Sequence, residues 1–230
     1  MLIFDIETGP LPLDQLRALY VEPTFEQFCE SCDQRWKPET REAKFAEAKA
    51  NGWQKFIDKA ALDPTTGQVL AIGYLSIKTK GRAMVMDDGG EDNADAEFTL
   101  LSKFWEQYVK CHKAQPRPRA MVGLNIFGFD LPFLVRRSWI LGVDIPTTVK
   151  PGRFFDPLFC DLGDVWLCGQ RWGEFPASLN AISKALGVGE KTGNGADFAE
   201  LLKTDREAAM VYLRSDLELT AACATRMGVI

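Results

Sequence analysis

Asp5 and Glu7 stand two apart in MLIFDIETGP, an apolar run that reads as a strand buried on both faces and halted by Gly9 and Pro10. Alternation along a strand sends both carboxylates to one face, within reach of one shared cation. Two carboxylates at the end of a buried strand are costly unless something neutralises them. The plainer reading is a strand end in solvent carrying two surface acids. Asp130 lies in GLNIFGFDLPFL, where an apolar piece ends and a helix opens at Leu131-Pro132. Its structural explanation is an N-cap. Its chemical one is that Asn125, Phe127 and Phe129 place an amide and aromatic rings beside a carboxylate, a set suited to holding an unstacked base. Tyr212 and Asp216 are four apart on a helical pattern and share a face. They read either as a half-buried tyrosine above a surface acid, or as a phenol that orients water beside a metal-binding carboxylate.

These residues need elements to position them. After the first strand, residues 68–77 and 82–86 read as a second and third strand joined by a turn around Lys80-Gly81. Residues 120–124 form a fourth apolar piece after the Pro-rich break QPRPR. Helical patterns run over 94–112, 131–142, 176–186, 196–203 and 205–227, the last with Thr204 as cap, Glu207 at the capping-box position and Gly228 as stop. Between strands one and two, residues 13–62 read as two helices separated near Lys37-Pro38, a long insertion for a strand connection. The expected organisation is a single α/β domain over 1–230 with the helical insertion at 13–62 inside it.

FDIET (4–8), NIFGFD (125–130) and YLRSD (212–216), in that order, resemble the three exonuclease motifs of the DEDD superfamily, whose members share an RNase H-like fold. The similarity is greatest to the 3'-5' exonuclease domain of family B DNA polymerases and to related stand-alone bacterial and phage exonucleases. It runs from strand one to the final helix and leaves out roughly 13–62. Members divide by whether His or Tyr accompanies the Asp of the third motif. The sole histidine, His112, lies far upstream of Asp216, so the chain resembles the Tyr subtype.

The resemblance implies an RNase H-like mixed sheet flanked by helices. It also implies two divalent cations, Mg²⁺ or Mn²⁺, held by Asp5, Glu7, Asp130 and Asp216, with Tyr212 positioning the attacking water. Hard oxygen donors suit those ions. Thr8, Asn125 and Phe129 match the family's single-strand contacts, and Lys191 lies where some polymerase-linked members carry a catalytic lysine. The expected activity is hydrolysis at the 3' end of single-stranded nucleic acid, DNA before RNA. An RNA-processing exonuclease and a non-catalytic end-binding or proofreading accessory subunit are the alternatives, and a proofreading role needs a replication or repair partner.

The chain has 230 residues and a net charge of -5, with 27 Lys+Arg against 32 Asp+Glu. That balance argues against a protein held to nucleic acid by bulk positive charge. Residues 110–153 nevertheless hold eight Lys+Arg against Asp130 and Asp144, whereas residues 87–97 hold six acids and no base. A basic strip around the second motif therefore fits short, metal-dependent contact with an end. No apolar run reaches the roughly 18 residues of a membrane helix, and dispersed cysteines fit a reduced cytoplasm, so a cytoplasmic location is expected. Cys29-x2-Cys32 lacks a second such pair, Asp156 and Asp161 read as spare cleft acids with helix capping as the first reading for Asp161, and Gly193-x-Gly195 reads as a flexible connector. Trp36, Trp53 and Phe56 serve either the insertion's own core or stacking on a strand.

Overall fold

The computed structural model describes residues 1–78, 81–87, 94–114, 119–149 and 157–230. The turn around Lys80, most of the acidic segment 87–97, four residues of the Pro-rich break, Asp156, and the basic residues Arg117, Lys150 and Arg153 lie outside the described residues.

A five-stranded sheet in the order β3-β2-β1-β4-β5 organises the chain. Its strands are β1 (Leu2–Pro10), β2 (Gly67–Lys78), β3 (Gly81–Asp87), β4 (Met121–Gly123) and β5 (Phe159–Asp161). β1, β4 and β5 run parallel, with Leu2 beside Met121 and Met121 beside Phe159. β2 and β3 pair antiparallel from Ile72–Asp87 to Lys78–Gly81. Sheet and flanking helices make the mixed α/β, RNase H-like fold expected above. β5 was not expected, because three residues are too few to show a period, and the short helix after it, α6 (Leu162–Leu167), is the one that Asp161 was expected to cap.

β1 sorts the core. Leu2, Phe4 and Ile6 enter a cluster with Phe104 and Tyr108 of α4 (Ala94–Ala114) and Leu131 and Leu134 of α5 (Asp130–Leu141). Ile3 faces the other way, into a cluster with Ile182 of α7 (Leu179–Leu186) and Leu217 and Ala221 of α9 (Arg206–Arg226). Asp5 and Glu7 continue the Ile3 face by the same period-two alternation, toward α9. The other side is pinned by a buried ion pair, in which Glu97 accepts Arg137 Nη2 at 2.6 Å and Nε at 2.9 Å. Glu97 also accepts the backbone N–H of Val69 at 2.8 Å, tying α4 and α5 to β2. Arg137 is one of the eight bases counted around the second motif. Its guanidinium is buried, so it is withdrawn from any surface strip.

The chain divides into two compact units, Met1–Thr8 with Val69–Ile230, and Gly9–Gln68. The second holds α1 (Leu13–Leu19), α2 (Phe25–Ser31) and α3 (Pro38–Ala60), three helices where two were expected. Pro38 opens α3 at its first turn, where its missing N–H removes no helical bond. Tyr20, Trp53 and Phe56 pack on one another at 5.2–5.8 Å between ring centres, and Phe25 and Phe28 pack on Phe45. Trp53 and Phe56 thus contribute to this unit's own core. Cys29 and Cys32 are free thiols, and Cys32 donates to the Cys29 carbonyl.

The start of α9 departs from expectation. Thr204 ends α8 (Phe198–Thr204), where its hydroxyl donates back to Glu200 O at 2.9 Å. The cap is Asp205, whose carboxylate accepts the Ala208 N–H at 3.0 Å.

A candidate metal centre in an acidic cleft

α9 reaches β1 because its buried stripe carries the approach. Ala209, Leu213, Leu217 and Ala224 recur at helical spacing, with Tyr212 and Asp216 within the same buried face. Gly73 of β2 permits the contact, since a Cβ there would lie 2.6 Å from Leu217 Cδ1 and 3.0 Å from Leu213 Cγ. Asp216 is accordingly 2% exposed and not the surface acid of the plainer reading. One carboxylate oxygen from each of Asp5, Glu7 and Asp216 lies within 4.8 Å of the others. Among the described residues this is the one cluster of three or more His, Cys, Asp or Glu side chains able to hold an ion.

Asp130 joins the same cleft, about 480 Å³ in volume, which is lined by Asp5, Asn125, Phe129, Asp130, Lys191 and Asp216 among others. It is the first residue of α5 and not its N-cap. Phe129 occupies the cap position without a side-chain bond. Asp130 Oδ1 is buried and has no hydrogen-bond partner among the described residues. The Tyr212 hydroxyl is likewise buried. The loop over Tyr212 comes close because Gly193 and Gly195 carry no side chain: a Cβ on Gly193 would lie 2.8 Å from the ring, and one on Gly195 would lie 3.5 Å from the hydroxyl and 3.8 Å from Glu7 Oε2.

The electrostatics follow from crowding acids in a buried site. Burial, then the Asp216 carboxylate, raises Asp5 from 3.8 to about 7. Burial and Asp5 push Glu7 well above the ordinary range, and the same two causes raise Asp130. Burial, with Glu7 and Asp216, raises the Tyr212 phenol above its usual 10. Among the described residues, the cation facing these acids is Lys191, whose Nζ donates to Asp216 Oδ2 at 2.6 Å. With all four carboxylates ionised, one ammonium would leave negative charge in excess. Hard oxygen donors, an unpartnered buried oxygen on Asp130 and that excess together fit a cation centre, with Asp5, Glu7 and Asp216 as one ligand set and Asp130 beside it.

Thr8 follows Glu7 on β1 and leaves the strand on the opposite face by alternation. Asp161 does more than the helix capping expected of it, and Asn180 was not expected at all. Asp161 caps α6 through the Gly163 N–H at 2.8 Å, and it also accepts the N–H of Asn125 at 2.8 Å and of Phe127 at 3.0 Å. One carboxylate therefore holds the loop that delivers Asp130, including Asn125 in a left-handed conformation at φ 57°. Asn180 of α7 accepts the Lys191 N–H at 3.2 Å and fixes the approach of that lysine. Neither partner is local in sequence, so no spacing signalled them.

No family model matches the sequence, and no curated protein matches it. The structure is similar to that of a family B DNA polymerase. That protein comes from the hyperthermophilic archaeon Pyrobaculum calidifontis and matches with a TM-score of 0.55 and 17% identity, over 98% of this chain and 24% of that one. The chain therefore spans about a quarter of the polymerase's length. At this identity the likeness establishes the fold. Among the described residues, no helix is long and apolar enough to cross a membrane.

Proposed function

We propose that this chain is a metal-dependent 3'-5' exonuclease acting on single-stranded nucleic-acid ends, DNA before RNA. The observation that carries the reading is the meeting of Asp5, Glu7 and Asp216 within 4.8 Å, in a cleft that also presents Asp130 and Lys191. Divalent cations, Mg²⁺ or Mn²⁺, bound by these carboxylates would stabilise the entering and leaving oxygens of an in-line phosphoryl displacement.

The chain's own residues supply the rest. The Tyr212 phenol stays protonated at neutral pH, so it orients a water by hydrogen bonding and does not act as a free base. Its buried hydroxyl lies under the Gly193–Gly195 loop, where a Cβ on Gly195 would be 3.5 Å from it and 3.8 Å from Glu7 Oε2. Lys191, 2.6 Å from Asp216, brings positive charge to where phosphate charge develops. Asn125 and the Phe129 ring line the same cleft and serve the terminal sugar and base.

The decisive experiment incubates the protein with a 5'-labelled single-stranded oligodeoxynucleotide in Mn²⁺. Stepwise shortening from the 3' end is expected, abolished by EDTA and by Asp5→Ala. Binding without shortening would favour an end-binding accessory protein, and shortening of RNA alone would favour the RNA-processing alternative.

A further inference from the structure

The segment joining α6 to α7 carries two large rings that no part of the site above uses. Trp172 is 44% exposed and Phe175 is 53% exposed, yet both line the cleft that holds Asp5, Asp130 and Asp216. They face each other across a tight turn as a backbone bridge pair, closed by the Glu174 N–H donating to Arg171 O at 3.1 Å. The turn is fastened at both ends. The Trp172 indole N–H donates to Asp164 Oδ1 at 2.9 Å, and the ring edge lies against Gly163, where a Cβ would come within 2.2 Å of Cη2. On the other arm, the Trp166 indole N–H donates to Pro176 O at 3.0 Å.

Single exposed apolar residues are ordinary on protein surfaces. A fastened pair of aromatic rings at an acidic cleft is different, because it keeps flat apolar area in water when a flexible segment could fold it away. Preorganised rings gain affinity by avoiding an ordering cost when a flat partner arrives. A partner entering this cleft must present a phosphodiester to the carboxylate centre and a flat apolar face to the rings. Unpaired nucleobases linked through phosphates do both.

We infer that Trp172 and Phe175 form a stacking platform for the bases immediately upstream of the 3'-terminal nucleotide. This rests on the exonuclease reading for the identity of the strand. It adds a subsite that would make affinity depend on strand length beyond two nucleotides.

The test compares 5'-fluorescein-labelled dT2 and dT8, reading hydrolysis in Mn²⁺ and, separately, anisotropy with Ca²⁺ in place of Mn²⁺. For wild type, KM is expected to be lower for dT8 than for dT2. Phe175→Ala and Trp172→Ala should each raise KM for dT8 by about 5- to 100-fold, the range of one base–aromatic stack, and bring the two KM values together. Phe175→Leu keeps apolar bulk without the ring and should behave as Phe175→Ala. Trp172→Phe keeps a ring and should retain most of the length dependence, which covers the case in which Trp172→Ala unfolds the turn. Wild-type length dependence in the Phe175 variants, or Phe175→Leu matching wild type, would overturn the platform. If wild type hydrolyses neither oligonucleotide but the same variants weaken dT8 binding in Ca²⁺, the platform stands and the catalytic reading falls. If wild type hydrolyses both and the variants bind dT8 normally, the reverse holds.

Discussion

Lys191 Nζ lies 2.6 Å from Asp216 Oδ2 and 5.1 Å from the centre of the Tyr212 ring, so one ammonium meets two α9 side chains one helical turn apart. It offsets part of the carboxylate charge and competes with a divalent ion for Asp216. Lys191→Ala should lower the melting temperature of the metal-free protein and enlarge the rise produced by Mn²⁺. Turnover should also fall. Thermal melts with and without Mn²⁺ check this, and an unchanged metal-dependent rise would contradict the competition.

Tyr212→Phe removes the buried hydroxyl and leaves the ring beneath Gly193. Turnover should drop by about 10²-fold, in the range of a positioning group. The Mn²⁺ dependence of the melting temperature should not move, because the phenol is not a ligand. Wild-type rates would refute its role.

The raised carboxyls give the metal-free protein a definite pH dependence. Asp5 titrates near its ordinary 3.8 when unfolded and at about 7 when folded, so between these values the folded state holds more protons. Stability is therefore highest at the low end of that window and is lost as pH rises toward 7. Glu7 and Asp130 act in the same direction. A divalent ion favours the ionised forms, so Mn²⁺ should raise the melting temperature most near pH 8 and least near pH 5. Equal stabilisation at both values would show that these acids are not the ligands.

Asp161 joins β5 to the loop before Asp130 by accepting the Asn125 and Phe127 N–H groups, and it caps α6 by accepting the Gly163 N–H. Hydrogen bonds to a charged group contribute about 1.5–3 kcal/mol each, and their loss is not additive. Asp161→Ala should destabilise by about 3 kcal/mol and weaken Mn²⁺ binding, though Asp161 has no place among the clustered ligand atoms. Titration calorimetry on the folded variant below its melting temperature separates the two effects.

Gly73 sets how closely α9 packs on β2. Gly73→Ala should cost about 1–3 kcal/mol through overpacking against Leu217 and Leu213. It should also shrink the Mn²⁺-induced rise in melting temperature, because α9 carries Asp216 away from Asp5 and Glu7. Gly142→Ala, on the far side of α5 with nothing within 4 Å of a Cβ, is the control for a purely local backbone effect.

Much of the site can be read from the chain alone because its signals are local. The two-residue step from Asp5 to Glu7 sets their shared face, and the four-residue step from Tyr212 to Asp216 does the same on α9. Each follows from the geometry of one element. β1, β2, α4 and α9 are long enough to show their periods. β5 is not, and the start of α9 slipped by one residue because Thr204 and Asp205 are both good caps and only the end of α8 decides between them.

The sequence by itself determined which acids stand on which face of β1 and α9, and that Tyr212 shares a face with Asp216. Tertiary structure decided what those faces meet. Only packing brings α9 onto Gly73, buries Asp216, sets Asp161 beneath a loop 36 residues earlier and leaves Trp172 and Phe175 exposed at the cleft. Spacing within one element is fixed by backbone geometry. Contact between elements depends on how their side chains fill shared space, and that information is distributed over the whole core.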